Sequence, residues 1–528
     1  MNYPVWDVAF GAGLLIAVVS ILHVFVSHFA VGGGLFLVLT ERKARRNNDT
    51  ALLNWLKSHT RFFVLVTVVF GVVSGVGIWF TIGLINPMAT ASLIHIYVWG
   101  WAIEWIFFFL EITAALLYLY GWDKLEPRLH MWYGWIYFIA AYISLVVING
   151  IITFMLTPGS WIRNHQFWRG FFNPTYFPSV VLRTAIALAL AGIYALITAS
   201  VQKDSALKAR IVRWSALWIV PSLAVMPLIG WWYIRRVPAD IWANARGAMP
   251  TGSLFATLAV VFLAVTFALA LLALLRPGRI HLAFSLLVAV VALGTMGSFE
   301  FVREAIRKPY VIQGYLYSNS LYAKQMPGDG GFTTDEVSNA GVLKSAKWIH
   351  IRDLTPQNQV IVGHEIFRVE CQSCHTQNAY RGIKELIVSR QWNQNKIQAM
   401  LGGLEFMHNG VMPPFSGTDP ERAALAAYLS SLQPIPANAV AATDGKTVFA
   451  QNCSMCHQVT AADPLFKNLP QDPNAAADAL RDLTALFPLM PDIKLSDQQR
   501  PALVQWINSQ RSGILRSANE PAATQGEN

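Results

Sequence analysis

The sequence predicts an all-α protein in two parts: an eight-helix transmembrane bundle, then two small helical domains outside the membrane. Three observations carry this prediction. Residues 1–310 hold eight apolar runs, each close to or above the roughly 20 residues that a helix needs to span a bilayer. From about residue 311 the chain turns polar and is punctuated by proline and glycine. Within that half one short motif occurs twice, at 371–375 and 453–457, and takes all four cysteines.

The composition fits a lipid-embedded chain. Of 528 residues 54% are hydrophobic and 13% charged, with mean hydropathy +0.41, whereas soluble domains carry about 25% charged residues. The runs cover 8–39, 62–86, 96–122, 131–157, 179–202, 214–234, 252–275 and 281–301. The first has no basic leader and no small-residue cleavage site, so it reads as a retained helix. Lysine and arginine mark the inner side of a membrane protein. Arg42, Lys43, Arg45, Arg46, Lys57 and Arg61 follow run one; Lys124 and Arg128 follow run three. Lys203, Lys208, Arg210 and Arg213 follow run five, and Arg276 and Arg279 follow run seven. The other side is sparse until Arg163, Arg169, Arg235, Arg236 and Arg246. The N-terminus is therefore expected outside, and eight crossings return the polar half to the same side. The predicted location is a bacterial inner membrane, multi-pass, with the polar half in the periplasm. The net charge of +10 then reflects topology; no nucleic-acid partner is expected.

Cys371-Gln372-Ser373-Cys374-His375 and Cys453-Ser454-Met455-Cys456-His457 both read C-x-x-C-H, the pattern of covalent c-type haem attachment. Two thiols bond the porphyrin and the adjacent histidine, His375 or His457, ligates the iron. A redox C-x-x-C pair leaves the twice-repeated histidine unexplained. Such attachment takes place on the outer side of bacterial membranes, in agreement with the charge asymmetry. Gly363-His-Glu-Ile-Phe and Gly445-Lys-Thr-Val-Phe lead into the two motifs alike, an internal repeat. A thioether sulfur is the usual sixth ligand for raising a haem potential. Met412, in Val-Met-Pro-Pro-Phe, and Met490, in Leu-Met-Pro-Asp, are the candidates. A single methionine otherwise fills core space, and Met407 rivals Met412. Apolar-periodic helices at 421–432 and 497–509 close the two copies. Residues 355–435 and 440–515 thus read as two class I cytochrome c domains, joined at Pro434-Ile435-Pro436. Residues 1–315 form the bundle, 316–354 an unassigned linker, and 516–528 a polar disordered tail.

Ionisable side chains inside a membrane are costly and usually functional. His23 falls near mid-depth in run one. His28 follows five residues on, roughly 140° round the helix, so the two cannot share one ligand site. Glu104 and Glu111 are seven apart, within about 20° of one face. Glu300 and Glu304 share a face near the end of run eight, among Arg303, Arg307 and Lys308. His23 is either a haem ligand or a bundle histidine bonded to a carbonyl. Glu104 and Glu111 serve a proton path or haem site, or bond helix to helix as protonated carboxyls. Glu304 is a ligand or an ion-pair partner of Arg307 or Lys308.

Five stretches together resemble subunit I of the cytochrome bd oxygen reductases. They are His23-Val-Phe-Val-Ser-His-Phe-Ala-Val-Gly-Gly-Gly, Gly100-Trp-Ala-Ile-Glu104-Trp with Phe-Leu-Glu111, Gly121-Trp-Asp-Lys-Leu, Asn149-Gly150, and Arg303-Glu304-Ala-Ile-Arg307-Lys308-Pro309. The resemblance is strongest over 8–157 and returns at 297–310. It implies that His23 ligates an active-site haem, that Glu104 lies at that haem, and that Glu111 belongs to the proton route between two haems. It gives Glu304 as ligand to a high-spin haem b, with Glu300 as the competing choice. The family's long loop between spans six and seven, which helps bind quinol, is reduced here to 235–251. Its span-five histidine, ligand to a low-spin haem b, is absent from Val180-Val-Leu-Arg183-Thr184. A ninth span is replaced by the two cytochrome c domains.

The implied function is a membrane terminal reductase, linked to cytochrome c and not to quinol, that takes electrons through two covalent haems c. Two non-covalent haems, one b and one b or d, would reduce dioxygen to water with protons from the cytoplasm. Nitric oxide reduction at the same site, a non-catalytic electron conduit and a transporter with an appended cytochrome are the competing classes. The conduit predicts paired histidines on facing helices, and the transporter predicts an internal repeat of broken helices; the bundle sequence carries neither. Implied partners are a second membrane subunit, resembling bd subunit II or a paralogue of subunit I, and a cytochrome or other redox donor outside.

Overall fold

The computed structural model describes residues 6–243, 250–324, 330–433, 444–453, 457, 459–461, 463–482 and 495–519. Cys456, Met490 and the expected hinge at 434–436 lie outside the described residues. Among the described residues eight helices are long and apolar enough to cross a membrane: α1 (Ala12–Arg46), α2 (Thr50–Ile85), α3 (Val98–Gly121), α4 (Pro127–Leu156), α5 (Tyr176–Ser200), α6 (Ser205–Arg236), α7 (Thr251–Leu275) and α8 (Leu282–Arg307). Several begin or end outside the apolar runs because their ends are capped. Asp49 accepts from the Leu52 N–H and starts α2 at Thr50. Asp204 does the same for Ala206 and Leu207 at α6. Lys43, Arg45 and Arg46 fill the last turn of α1, where cations oppose the helix dipole.

Helix α1 lies at the centre, packed on α2, α4, α5 and α8. The Gly32-Gly33-Gly34 run makes this possible. A Cβ on Gly32 would stand 1.9 Å from the Ala187 carbonyl oxygen of α5, and one on Gly34 2.5 Å from the Tyr137 ring of α4. Close backbone approach at small residues is how membrane helices associate where burial from water offers little drive. Gly32→Ala is therefore expected to separate α1 from α5 and to cost about 1–3 kcal/mol of overpacking, read as a lower unfolding temperature in detergent.

The stretch expected as a linker, 316–354, is not one. Tyr310–Ile312 (β1) pairs antiparallel with Leu316–Tyr317 (β2), and this hairpin seals the end of the bundle, where Asn86 donates to the Ser318 carbonyl (3.2 Å) and Ser92 bonds Tyr322 (2.6 Å). Helices α9 (Thr334–Ala340) and α10 (Val342–Ser345) follow. Their buried Val337, Val342 and Leu343 join Val362, Ile366 and Leu425 in one core. The segment is bound by its apolar side chains and by Glu421, whose carboxylate accepts from the Val342 and Leu343 N–H groups at 3.0 and 2.9 Å.

The first small domain continues with α11 (Gln359–Glu370), α12 (Ile383–Ser389), α13 (Gln394–Leu401) and α14 (Asp419–Ser431). The second contains α15 (Gly445–Asn452) and α16 (Gln499–Asn519). In both, a glycine eight residues before the first cysteine lets the leading helix cross the closing one. A Cβ on Gly363 would meet the Ala424 oxygen at 2.0 Å, and one on Gly445 the Ala502 oxygen at 2.0 Å. Of the tail expected to be disordered, 516–519 continue α16 to Asn519, and 520–528 lie outside the described residues. Arg511 pins that helix by donating to the Phe466 and Leu469 carbonyls at 2.7 and 2.6 Å.

Candidate haem sites and proton line

The two haem-attachment turns are built alike. Helix α11 ends at Glu370, and the His375 N–H donates to the Cys371 carbonyl at 2.9 Å. The His457 N–H donates to the Cys453 carbonyl at 3.0 Å. The His375 Nδ1 faces the Arg381 carbonyl at 3.2 Å, and the His457 Nδ1 faces Asp463 Oδ1 at 2.8 Å, each acceptor lying six residues on. An acceptor at Nδ1 fixes the proton there and leaves Nε2 with the lone pair that iron requires. Burial lowers the His375 pKa and keeps the ring neutral. Cys371 and Cys374 are free, partly buried thiols beside it. The residues present fit covalent haem. Met412 stands in the strap after Gly410, a left-handed residue with φ of 77°. Met407 is on the preceding 3-10 turn, Leu404–Asn409, and both methionines are partly buried.

Glu370, next to Cys371, was not singled out by the sequence. Its Oε2 accepts from Asn319 Nδ2 at 2.7 Å, while Oε1 is buried with no hydrogen-bond partner. Burial pushes its pKa up to about 8. The folded state therefore holds a proton that the unfolded chain releases near the ordinary carboxyl value. That stability is present at low pH and lost as pH rises towards 8. Glu370→Gln is expected to remove this pH dependence and to raise the domain's unfolding temperature at pH 8 by about 5 °C or more, measured by thermal scans at pH 5 and pH 8.

In the bundle, His23 turns towards α2. Its Nδ1 lies 3.1 Å from Ser74 Oγ, and the Ser74 hydroxyl donates to the Phe70 carbonyl at 2.7 Å. The serine proton is thus spent, Ser74 accepts from Nδ1–H, and Nε2 keeps its lone pair. Gly75 makes the room, since a Cβ there would stand 3.1 Å from His23 Cε1. This imidazole fits a haem ligand. His28 points elsewhere: its Nδ1 faces the Val24 carbonyl at 2.7 Å and its Nε2 lies 3.4 Å from Arg183 Nη1.

Arg183 is buried, and its Nε has no hydrogen-bond partner. It belongs to a charge cluster with Glu300 and Arg303, the latter two joined at 2.7 Å. A guanidinium has no lone pair for iron, so Arg183 does not fit as a haem ligand. Glu304 meets Arg307 through Oε2 and Lys308 through Oε1, the latter at 3.0 Å. The structure thus contains the ion pair weighed in the sequence reading. With 44% of its side chain exposed, against 14% for Glu300, Glu304 is the more open of the two carboxylates.

Glu104 and Glu111 face α4. Ser144 donates to Glu104 at 3.0 Å, and the Tyr137 hydroxyl lies 3.1 Å from both Glu111 Oε1 and the Ala30 carbonyl. Between Tyr137 and Tyr118 lies a cavity of about 10 Å³ whose lining is almost wholly apolar and includes Gly34, Leu37, Phe63, Val64, Ala115 and Gly134. On its far side the Tyr118 hydroxyl donates to Glu41 at 2.7 Å. Glu41 is fully buried and also meets His130 Nδ1 at 2.9 Å and Arg45 Nε at 2.6 Å. Glu41, His130, Tyr118 and Tyr137 escaped the sequence reading. The one available signal was an acidic residue one turn before Arg45 in an otherwise basic helix end.

Comparison with known proteins gives two family matches. Residues 12–240 match the model for cytochrome bd terminal oxidase subunit I, and residues 358–429 and 440–507 match that for cytochrome C oxidase, cbb3-type, subunit III. Among solved structures, the bd oxidase from Geobacillus thermodenitrificans has 16% sequence identity and a TM-score of 0.49, over 58% of this chain and 89% of that chain. No curated protein matches the chain.

Proposed function

We propose that this chain, a membrane electron-transfer oxidoreductase with a cytochrome bd subunit I domain at its N-terminus and two cytochrome c domains after it, reduces dioxygen to water. The c domains imply haem c, and the bd family implies haem b or d. In this reading His375 with Met412, and His457 with Met490, hold two haems c through the four cysteines. His23 and Glu304 hold two non-covalent haems, and none is held at Arg183. Bound haem supplies the electron relay and the iron at which a diatomic molecule is reduced. The protein's part is to orient that iron through the Ser74–His23 bond and to bring protons to it.

The observation that carries the proposal is the line of buried titratable groups on α1, α3 and α4: Glu104 with Ser144 and Glu111 with Tyr137, then, across a small apolar cavity, Tyr118, Glu41 and His130. An electron conduit consumes no protons and has no use for such a line. Reduction of dioxygen consumes four. The line ends near the basic loops, where Lys57 pairs with Asp123, so the protons come from the cytoplasm. Electrons arrive from a cytochrome or other donor on the periplasmic side, and turnover separates charge. Because bd oxidases are membrane complexes with a second subunit, a subunit II-like chain or a paralogue of subunit I is expected to complete the enzyme.

The test is the optical spectrum of the dithionite-reduced protein with and without carbon monoxide, a pyridine haemochrome count, and oxygen uptake driven by ascorbate and a soluble mediator. Two c haems, CO-reactive b or d haem and oxygen uptake are expected. Membrane haems that ignore CO would overturn the proposal in favour of a conduit.

A further inference from the structure

The two c-type domains are seated differently, and the difference orders them. The first is pressed against the bundle through its haem-attachment turn. Gln372, inside the motif, faces the Trp6 carbonyl with its Nε2 at 3.4 Å. Glu370, just before it, accepts from Asn319 at 2.7 Å. At Gly11, with φ of 113°, a Cβ would stand 3.2 Å from Tyr380 Cβ. Lys308, at the end of α8, donates to Ser318 Oγ at 3.2 Å, next to Asn319. This turn therefore rests on the segment that begins α1 and, through Ser318 and Asn319, on the end of α8, the two helices that carry His23 and Glu304.

The second domain is seated on the first, again through its haem-attachment end. Asn452, immediately before Cys453, accepts from Asn393 Nδ2 at 3.0 Å. Lys396, on the same helix α13 and only 2% exposed, donates through Nζ to the Ala450 carbonyl at 3.1 Å. Asn393 caps α13 through the Lys396 N–H. That helix leads through the 3-10 turn into the strap bearing Met412.

We propose that the domains form a fixed serial relay: the domain at 444–519 accepts electrons from the external donor, passes them across the α13 junction to the domain at 355–433, and that domain alone delivers them to the bundle. The inference rests on the haem assignments of the proposed function but not on the identity of the terminal acceptor. Each step moves one electron, oxidising one haem and reducing the next, and the external donor supplies it. Asn393, Lys396, Asn319 and Gln372 act as positioning residues.

The experiment is anaerobic stopped-flow reduction of the full haem-loaded protein by reduced soluble cytochrome c, with c-type and membrane haems followed at separate wavelengths. In Asn393→Ala/Lys396→Met, which removes the Asn393–Asn452 and Lys396–Ala450 hydrogen bonds of the junction, one c haem is expected to reduce at the parent rate while the other c haem and the membrane haems slow. In Asn319→Ala/Gln372→Ala, both c haems are expected to keep the parent rate while the membrane haems slow. Membrane haems unaffected by the first pair would mean parallel delivery, and unaffected by the second would mean the reverse order; either overturns the proposal. Haem counts and midpoint potentials matching the parent protein establish that the variants are folded and loaded. Because no oxygen is present, a failure of oxygen reduction is scored separately.

Discussion

Replacing His23 by alanine is expected to abolish oxygen uptake while leaving both c haems attached and reducible. The haemochrome count should fall by one non-covalent haem per chain, and the CO-induced change in the reduced spectrum should vanish. The reason is local. His23 presents Nε2 with its lone pair because Nδ1–H is held by Ser74, whose own proton is committed to the Phe70 carbonyl. Alanine removes the imidazole whose Nε2 would hold the iron. Ser74→Ala gives the graded version. It removes the outer partner of a metal ligand, an interaction typically worth 10- to 100-fold in metal affinity or activity, so haem should be retained but bound more weakly. His28→Ala is the contrast, since His28 faces the Val24 carbonyl and Arg183 and should leave the haem count unchanged. A His23→Ala protein with its full haem count and CO response would refute the assignment.

These contrasts show which parts of the site the sequence exposes. His23, Glu104 and Glu111 stand out because a titratable group among apolar residues is conspicuous. The eight spans and the c motifs are equally open, because each is a local pattern. So is the repeat: Gly363 and Gly445 precede their motifs by the same distance, although only the structure shows that each meets the carbonyl of a closing helix. What stays hidden depends on contacts distant in sequence. Glu41 and His130 are 89 residues apart, and each alone reads as a helix-end residue in a charged loop. Ser74 is one serine among many until it faces His23. The segment at 316–354 reads as a linker because its apolar residues are spread through polar chain, and they become core only when Val362, Ile366 and Leu425 cover them. The first four residues of the tail, 516–519, are helical for the opposite reason. Its polarity forecast disorder, but the contacts of Arg511 carry α16 beyond the apolar stretch.

The second large effect is expected at Glu111. Glutamine there is nearly isosteric and can still accept from the Tyr137 hydroxyl, so packing between α3 and α4 should survive. It cannot exchange a proton. Loss of a positioned proton-transfer group costs about 10²–10⁴-fold in rate, and oxygen uptake by Glu111→Gln should fall within that range with haem content, CO binding and anaerobic reduction unchanged. That pattern separates proton delivery from the structural alternative, in which Glu111 is a protonated carboxyl tying two helices together. In the structural case glutamine would preserve both the bond and the rate. Glu104→Gln should behave similarly, since Glu104 occupies the same face and is held by Ser144. The far end of the line gives an independent check. Tyr118→Phe removes one donor to Glu41 but leaves His130 and Arg45 in place. It should slow turnover without unfolding the inner end of the bundle, and proton uptake by proteoliposomes should slow in parallel. If Glu111→Gln turned over at the parent rate, protons would have to reach the haem by another route, and the line from Glu41 to Glu104 would be a set of helix contacts only.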